Sequence, residues 1–295
     1  MMIKARKLFK DVSDLPTIPA VVSRVISLLD NHEAEPDEIA DLILSDQVLA
    51  ARVVRVVNSP LYRPTSEITS VKRALLYIGF RSVREMILTS YFIEGFREKA
   101  QPFDMRLFWM HSFTVGALSR MIATQVGYRD LEKAYLVGII HDIGKVFLGH
   151  YLKDEYGEML SSIAGTSYTT YEAELEFFGT THSEVGLCLA QRWNFPSSYC
   201  DVISYHHASG LATEDPLLTA IITLSDYFCL SRTDADAVAR ADAAPGRSEE
   251  NAWVMLKQLA EAPLPADLES FLSSLESRYE SISREVNQIY ATMIV

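Results

Sequence analysis

Apolar residues recur at intervals of three and four along nearly the whole of this chain, the spacing that lines one face of an α-helix. No convincing run of alternating, β-branched residues bounded by turn signals breaks the pattern. Such a chain covers its apolar stripes by packing helix against helix, which predicts an all-α fold: a multi-helix bundle with a helical lobe on its N-terminal side. Leu15, Pro16 and Pro19 lead into Val21, Val22, Val25, Ile26 and Leu29, a proline-entered amphipathic helix that ends before the polar stretch 31–35. Pro36 opens the next helix, residues 37–44. A third follows at 46–57, halted by Asn58, Ser59 and Pro60, since proline disfavours helical geometry in its predecessor. Residues 66–77 and 81–96, punctuated by Gly79, complete a first lobe within residues 1–100.

From 101 to 230 the helices lengthen, with segments expected at 103–126, 129–148, 181–193, 196–207 and 216–230. Residues 231–250 are small, polar and charged without a core-facing stripe, the composition of a loop. In the final part, 251–295, Leu275, Tyr279, Ile282, Val286, Ile289 and Met293 step by four and three. That seam either packs along its own domain or meets a partner helix.

At 295 residues the chain can bury a full core. No apolar run approaches the roughly 18 to 20 residues a membrane helix needs, and the first ten residues are too charged for a signal-peptide core, so a cytoplasmic location and no membrane contact are expected. Cys188, Cys200 and Cys229 are odd in number and lack CxxC spacing, which predicts buried reduced thiols. The net charge of −12 comes from the second part: residues 1–100 hold 14 basic and 13 acidic side chains, and the rest hold 13 and 26. That balance disfavours a polyanion-binding surface and makes nucleic acid a poor partner. A local basic group at Arg52, Arg55, Lys72, Arg73, Arg81 and Arg84 is the one place where it would bind.

Six of seven histidines fall between 111 and 207, and an ordered set stands out: His111, His141 with Asp142, His182, His206 with His207, then Asp226. Each alone would be an ordinary core residue. Asp226, however, sits in LLTAIITLSDYFCL, where almost every neighbour belongs to a buried helix. A buried carboxylate is protonated, paired with a distant arginine or bound to a metal ion, and histidines on other helices favour the metal. Thr181 and Glu184 have capping-box spacing, placing His182 on a first helical turn, while His206 and His207 end their helix. Helix ends can converge on one cavity, and imidazoles with carboxylates suit one or two divalent transition-metal ions, iron or manganese first, zinc or nickel next. Asp142 can bridge two such ions, as in hydrolases whose paired cations clamp an in-line displacement. Lys145, one turn on, either pairs with a phosphate or is a surface lysine near a helix C-terminus.

HDIGK at 141–145 resembles the signature of the HD superfamily of metal-dependent phosphohydrolases, and the spacing of the whole set is similar to the HD-GYP branch, which cleaves cyclic di-GMP. In that branch the positions of His111, His141, Asp142, His182, His206, His207 and Asp226 supply a binuclear or trinuclear centre. The match is incomplete: Ala208, Ser209, Gly210 and Leu211 follow the histidine pair with no Gly-Tyr-Pro, and Leu107 stands where trinuclear members have Glu. The segments LPTIPAVVSRVISLL, SDQVLAARVVRVVNSPLY and ITSVKRALLYIGFRSVREMIL closely resemble the HDOD domain, so that the resemblance spans about residues 14–230. It implies a bacterial signal-transduction output or regulatory module, met by a signalling partner through its N-terminal lobe or C-terminal helix. The retained His/Asp set implies the alternative, a metal-dependent phosphohydrolase acting on a nucleotide or other phosphate ester, with Asp142 and Lys145 as its catalytic residues.

Overall fold

The structure, a computed structural model, describes residues 20–29, 34–59, 62, 64–97, 101–166, 168–232 and 248–293. The expected features at Leu15, Pro16, Pro19 and Pro60, and most of the 231–250 stretch, lie outside them. Among the described residues there is no strand, and the all-α reading holds. No helix there is long and apolar enough to cross a membrane. The chain divides into two units, residues 14–98 with 284–295 and residues 99–283 as far as these are described.

The first unit contains α1 (Ala20–Leu29), α2 (Pro36–Leu44), α3 (Gln47–Val57) and α4 (Val71–Arg97). Val22, Val25, Ile39, Ile43, Leu49, Val53, Val57 and Val83 are fully or almost fully buried. Asp46 caps α3 by accepting from the Leu49 N–H, 3.0 Å. The helix expected from residue 66 begins only at Val71, because Asn58 takes the intervening backbone. Its side chain donates to the carbonyls of Val54 (2.8 Å), in the last turn of α3, and Ile68 (2.7 Å) and accepts from the Ile68 N–H (2.8 Å), satisfying the Ile68 backbone outside any helix. Gly79 kinks α4 at φ 83°, ψ 161°, a conformation open to glycine and strained for other residues. The basic group is not a continuous patch: Arg84 is buried, Lys72 is tied to Asp37 at 2.6 Å, and Arg52 lies over the Tyr91 ring. The Arg81 side chain lies outside the described set.

The second unit runs α5 (Met105–Val126), α6 (Leu131–Ile140), α7 (Ile143–Tyr151), α8 (Lys153–Ile163), α9 (Thr170–Phe178), α10 (His182–Arg192), α11 (Ser197–Tyr205), α12 (Pro216–Leu230), α13 (Ser248–Leu259) and the start of α14 (Leu268–Met293). Two helices replace the single one expected at 129–148, and the break falls on His141 and Asp142. Residues 149–180, for which no helix was expected, hold α8 and α9. The latter opens with a full capping box, Thr169 and Glu172. The α14 seam is turned inward: Phe271, Leu275, Ile282 and Val286 are buried, Phe271 meets Trp253, and Tyr279 meets Phe228 edge-on. The side chains of Ile289 and Met293 lie outside the described set.

Glycines set how closely the site-bearing helices approach. A Cβ on Gly138 would lie 2.8 Å from Gly116 Cα, so α5 and α6 touch backbone to backbone, which brings His111 and His141 to the same side of the crossing. A Cβ on Gly144 would collide with the His182 carbonyl oxygen and lie 2.9 Å from Gly186 N. The glycine of HDIGK is thus the contact that lets α10 bring His182 up to Asp142. Gly144→Ala should cost about 3 kcal/mol or more in chemical denaturation, because backbone rather than a flexible side chain must give way. A cost below about 1 kcal/mol would show that the two helices are not in this contact.

Candidate metal centre

All seven residues of the His/Asp set converge. Asp142, His182, His206 and His207 each offer a ligand atom within 4.8 Å of the others, and so do His111, His141 and Asp226. Asp142 faces both groups. Its Oδ1 lies 3.4 Å from His182 Nε2 and 3.5 Å from His206 Nε2, while its Oδ2 lies 3.4 Å from His141 Nε2 and 3.9 Å from His111 Nε2. Asp226 Oδ1 is 3.1 Å from His111 Nε2 and 3.6 Å from His141 Nε2. Three elements contribute at an end or a break, His141 and Asp142 between α6 and α7, His182 at the start of α10, and His206 as the C-cap of α11, whereas His111 and Asp226 project from within α5 and α12.

The outer face of three imidazoles is fixed. His141 Nδ1 donates to the Gly138 carbonyl at 2.7 Å, His206 Nδ1 to the Ile203 carbonyl at 3.0 Å, and His182 Nδ1 to the Glu174 carboxylate at 2.7 Å. A proton held at Nδ1 leaves Nε2 as a lone pair, and in each case Nε2 points into the cluster. His141 Nε2, His206 Nε2, Asp142 Oδ1 and Asp226 Oδ1 are buried and have no hydrogen-bond partner. Leaving such groups unsatisfied costs about 1–3 kcal/mol each, so four together in one cluster are best explained by a shared cation. The donor set, five imidazoles and two carboxylates with no thiolate among them, fits a first-row divalent ion.

Burial opposes ionisation of both acids, yet each is held well below the usual carboxylate range, Asp142 by Lys145 and His141, Asp226 by His111 and His141. Burial pushes His206 down, and pushes His207 well down with help from its histidine neighbours. For His182 burial acts the same way, but the Glu174 carboxylate overrides it and raises the pKa. For His111 the opposing pull comes from Cys229 and Asp226, and the pKa ends well above the ordinary value.

Three features were not read from the sequence. Glu174 is fully buried and touches both the backbone and the ring of His182; its only sequence signal was the capping box that starts α9. Cys229, the one fully buried thiol, lies against His111, whereas Cys188 and Cys200 are partly exposed, contrary to the expectation of three buried thiols: their helices leave an edge in solvent. Lys145 is not a surface lysine: its side chain is 8% exposed and Nζ lies 2.6 Å from Asp142 Oδ2. Leu107 is exposed.

Fold and site together define a protein that is helical throughout its described elements, with a buried His/Asp cluster where several helices meet. The HDOD domain model matches residues 15–209, and the chain belongs to that family. An HDOD domain protein of unknown function from Geobacter sulfurreducens is 30% identical, with 96% of each chain covered and a TM-score of 0.76. The same fold occurs in a candidate phosphohydrolase from Shewanella amazonensis (21% identity, 95% of this chain and 97% of that one, TM-score 0.67). It recurs in a candidate signal transduction protein from Marinobacter aquaeolei (18%, 99% and 62%, TM-score 0.72). An uncharacterized Treponema pallidum protein is 23% identical over 218 residues, which are 71% of this chain and 41% of that relative; the match thus spans less than half the length of the curated relative.

Because His182 and His111 hold protons more tightly than an ordinary imidazole of pKa about 6.5, protons compete with a bound ion from higher pH. Affinity for a divalent ion should therefore begin to fall above pH about 6.5 as the solution is acidified, read by calorimetry. Constant affinity down to pH about 5 would contradict the protonation pattern.

Proposed function

We propose that this chain is a regulatory module of the HDOD type whose second unit is built around a divalent metal centre. The observation that carries the reading is the convergence of partnerless ligand atoms in a nearly closed setting. The side chains of His141, His182 and His206 are fully buried, that of Asp142 is 3% exposed, and His111 at 11% is one of the few edges reached by solvent. One ion would be held by Asp142, His182, His206 and His207, and a second by His111, His141 and Asp226, with the other oxygen of Asp142 facing it. Such an ion supplies Lewis acidity and, in a closed site, folding free energy. Family membership supports the signalling role, and the N-terminal lobe offers the surface for a signalling partner. There Leu44, Val48, Leu76 and Tyr77 are exposed.

Elemental analysis of the purified protein should find a transition metal. Stripping it should lower the melting temperature by about 5 °C or more, through loss of ligand-linked stability. Unchanged melting after complete removal sinks the structural role of the ion.

Lys145 favours a second reading, a phosphohydrolase. A buried ammonium beside Asp142 is placed to meet a phosphate oxygen, as Coulomb attraction in a water-poor site requires. Asp142 would then orient the reacting group, with His207 at the partly exposed edge. Lys145→Met should abolish turnover of a responsive phosphate ester without lowering metal content. A metal-loaded protein that hydrolyses no member of a broad ester panel excludes this reading and leaves the regulatory one.

A further inference from the structure

The two halves of the cluster are chemically unequal, and three separate observations point the same way. First, His182 is backed by a carboxylate. Glu174 Oε2 accepts from both His182 Nδ1 (2.7 Å) and His182 N (2.6 Å), and its Oε1 accepts from the Tyr156 hydroxyl (2.6 Å); neither Glu174 nor Tyr156 has any exposure. A carboxylate bonded to the outer nitrogen makes an imidazole a stronger donor and locks the ring's direction, more so than the backbone carbonyls behind His141 and His206. Secondly, the other half is less organised. It has three ligands of its own and gains a fourth only by sharing Asp142, and behind its histidines stand the Gly138 carbonyl (His141) and the Cys229 thiol (His111) rather than a carboxylate. Thirdly, the Lys145 ammonium sits on Asp142 Oδ2, the oxygen that faces His141 and His111. Oδ1, which faces His182 and His206, has no such cation.

We propose that the half formed by Asp142, His182, His206 and His207 takes the first divalent ion. Glu174, held by Tyr156, is the positioning residue that makes it the tighter half, and Lys145 weakens the second half by placing a positive charge on the shared carboxylate. This deepens the metal-centre reading and rests on it. In effect the chain carries an internal cation that competes for one side of Asp142, so that occupancy of the second half is set by what draws Lys145 away. An anion such as a phosphate group has the right charge to do so.

The test is a calorimetric titration of the full-length, metal-free protein with Mn(II), repeated with Co(II) so that the visible absorption of the bound ion reports its ligand set. The wild type should show a tight event near one equivalent and a weaker one near a second. Glu174→Gln, nearly isosteric, should weaken the tight event by about 10- to 100-fold and change its Co(II) spectrum, with the weaker event still present. Tyr156→Phe should weaken the same event by less, and Lys145→Met should strengthen the weaker event. Melting of the metal-free variants checks folding, and where Glu174→Gln does not fold, the other two substitutions decide. Two events of equal affinity, or a Glu174→Gln protein whose tight event is unmoved, overturn the inequality while leaving the metal centre standing. No uptake by the wild type overturns both.

Discussion

Two carboxylates kept ionised inside a helical core are the constraint around which the rest of this molecule is arranged. Neither Asp142 nor Asp226 has the solvent that normally stabilises a charge, and the fold replaces it with the Lys145 ammonium beside Asp142 and with His111, whose pKa is raised, beside Asp226. Desolvating a carboxylate costs several kcal/mol, so those compensating groups are required by the charges they surround. The requirement propagates outward. His141 must hold its ring by the Gly138 carbonyl and His182 by Glu174, and the helices that carry them must approach at distances only Gly116, Gly138 and Gly144 permit.

That dependence explains why the HDIGK segment reads as one unit. His141 and Asp142 interrupt a helix so that both side chains turn into the cluster, Ile143 is buried, Gly144 admits the α10 backbone, and Lys145 returns to Asp142. Each position serves the charge at Asp142 or the packing that holds it. A closed arrangement of this kind resists loss of an ion and limits access by a large substrate. Both properties fit the proposed regulatory scaffold better than an open catalytic cleft.

The sequence was legible where local rules act alone. Helical periodicity predicted the all-α class, and Gly79 and Pro36 fell at a kink and a helix start as expected. The seven metal-type residues could be singled out because histidines and an isolated acid in apolar helices are costly unless they share a purpose. What could not be read depended on partners distant in the chain. The break at His141 is invisible to periodicity, since the residues next to it on both sides, Gly138 to Ile140 and Ile143 to Gly144, are apolar and buried. Asn58 delays α4 through a bond to Ile68, ten residues on, and Glu174 looks like any glutamate on a short helix until α10 folds against it. Lys145 follows the same pattern: its burial is a property of the cluster, not of the helix.

X-ray diffraction from crystals grown with Mn(II), recorded where manganese scatters anomalously, tests the central claim most directly. An anomalous peak should appear between Asp142 Oδ1 and the Nε2 atoms of His182 and His206, at coordination distances of about 2.0–2.3 Å. A well-ordered map with no peak there, and with these imidazoles hydrogen-bonded to ordered water instead, would contradict it.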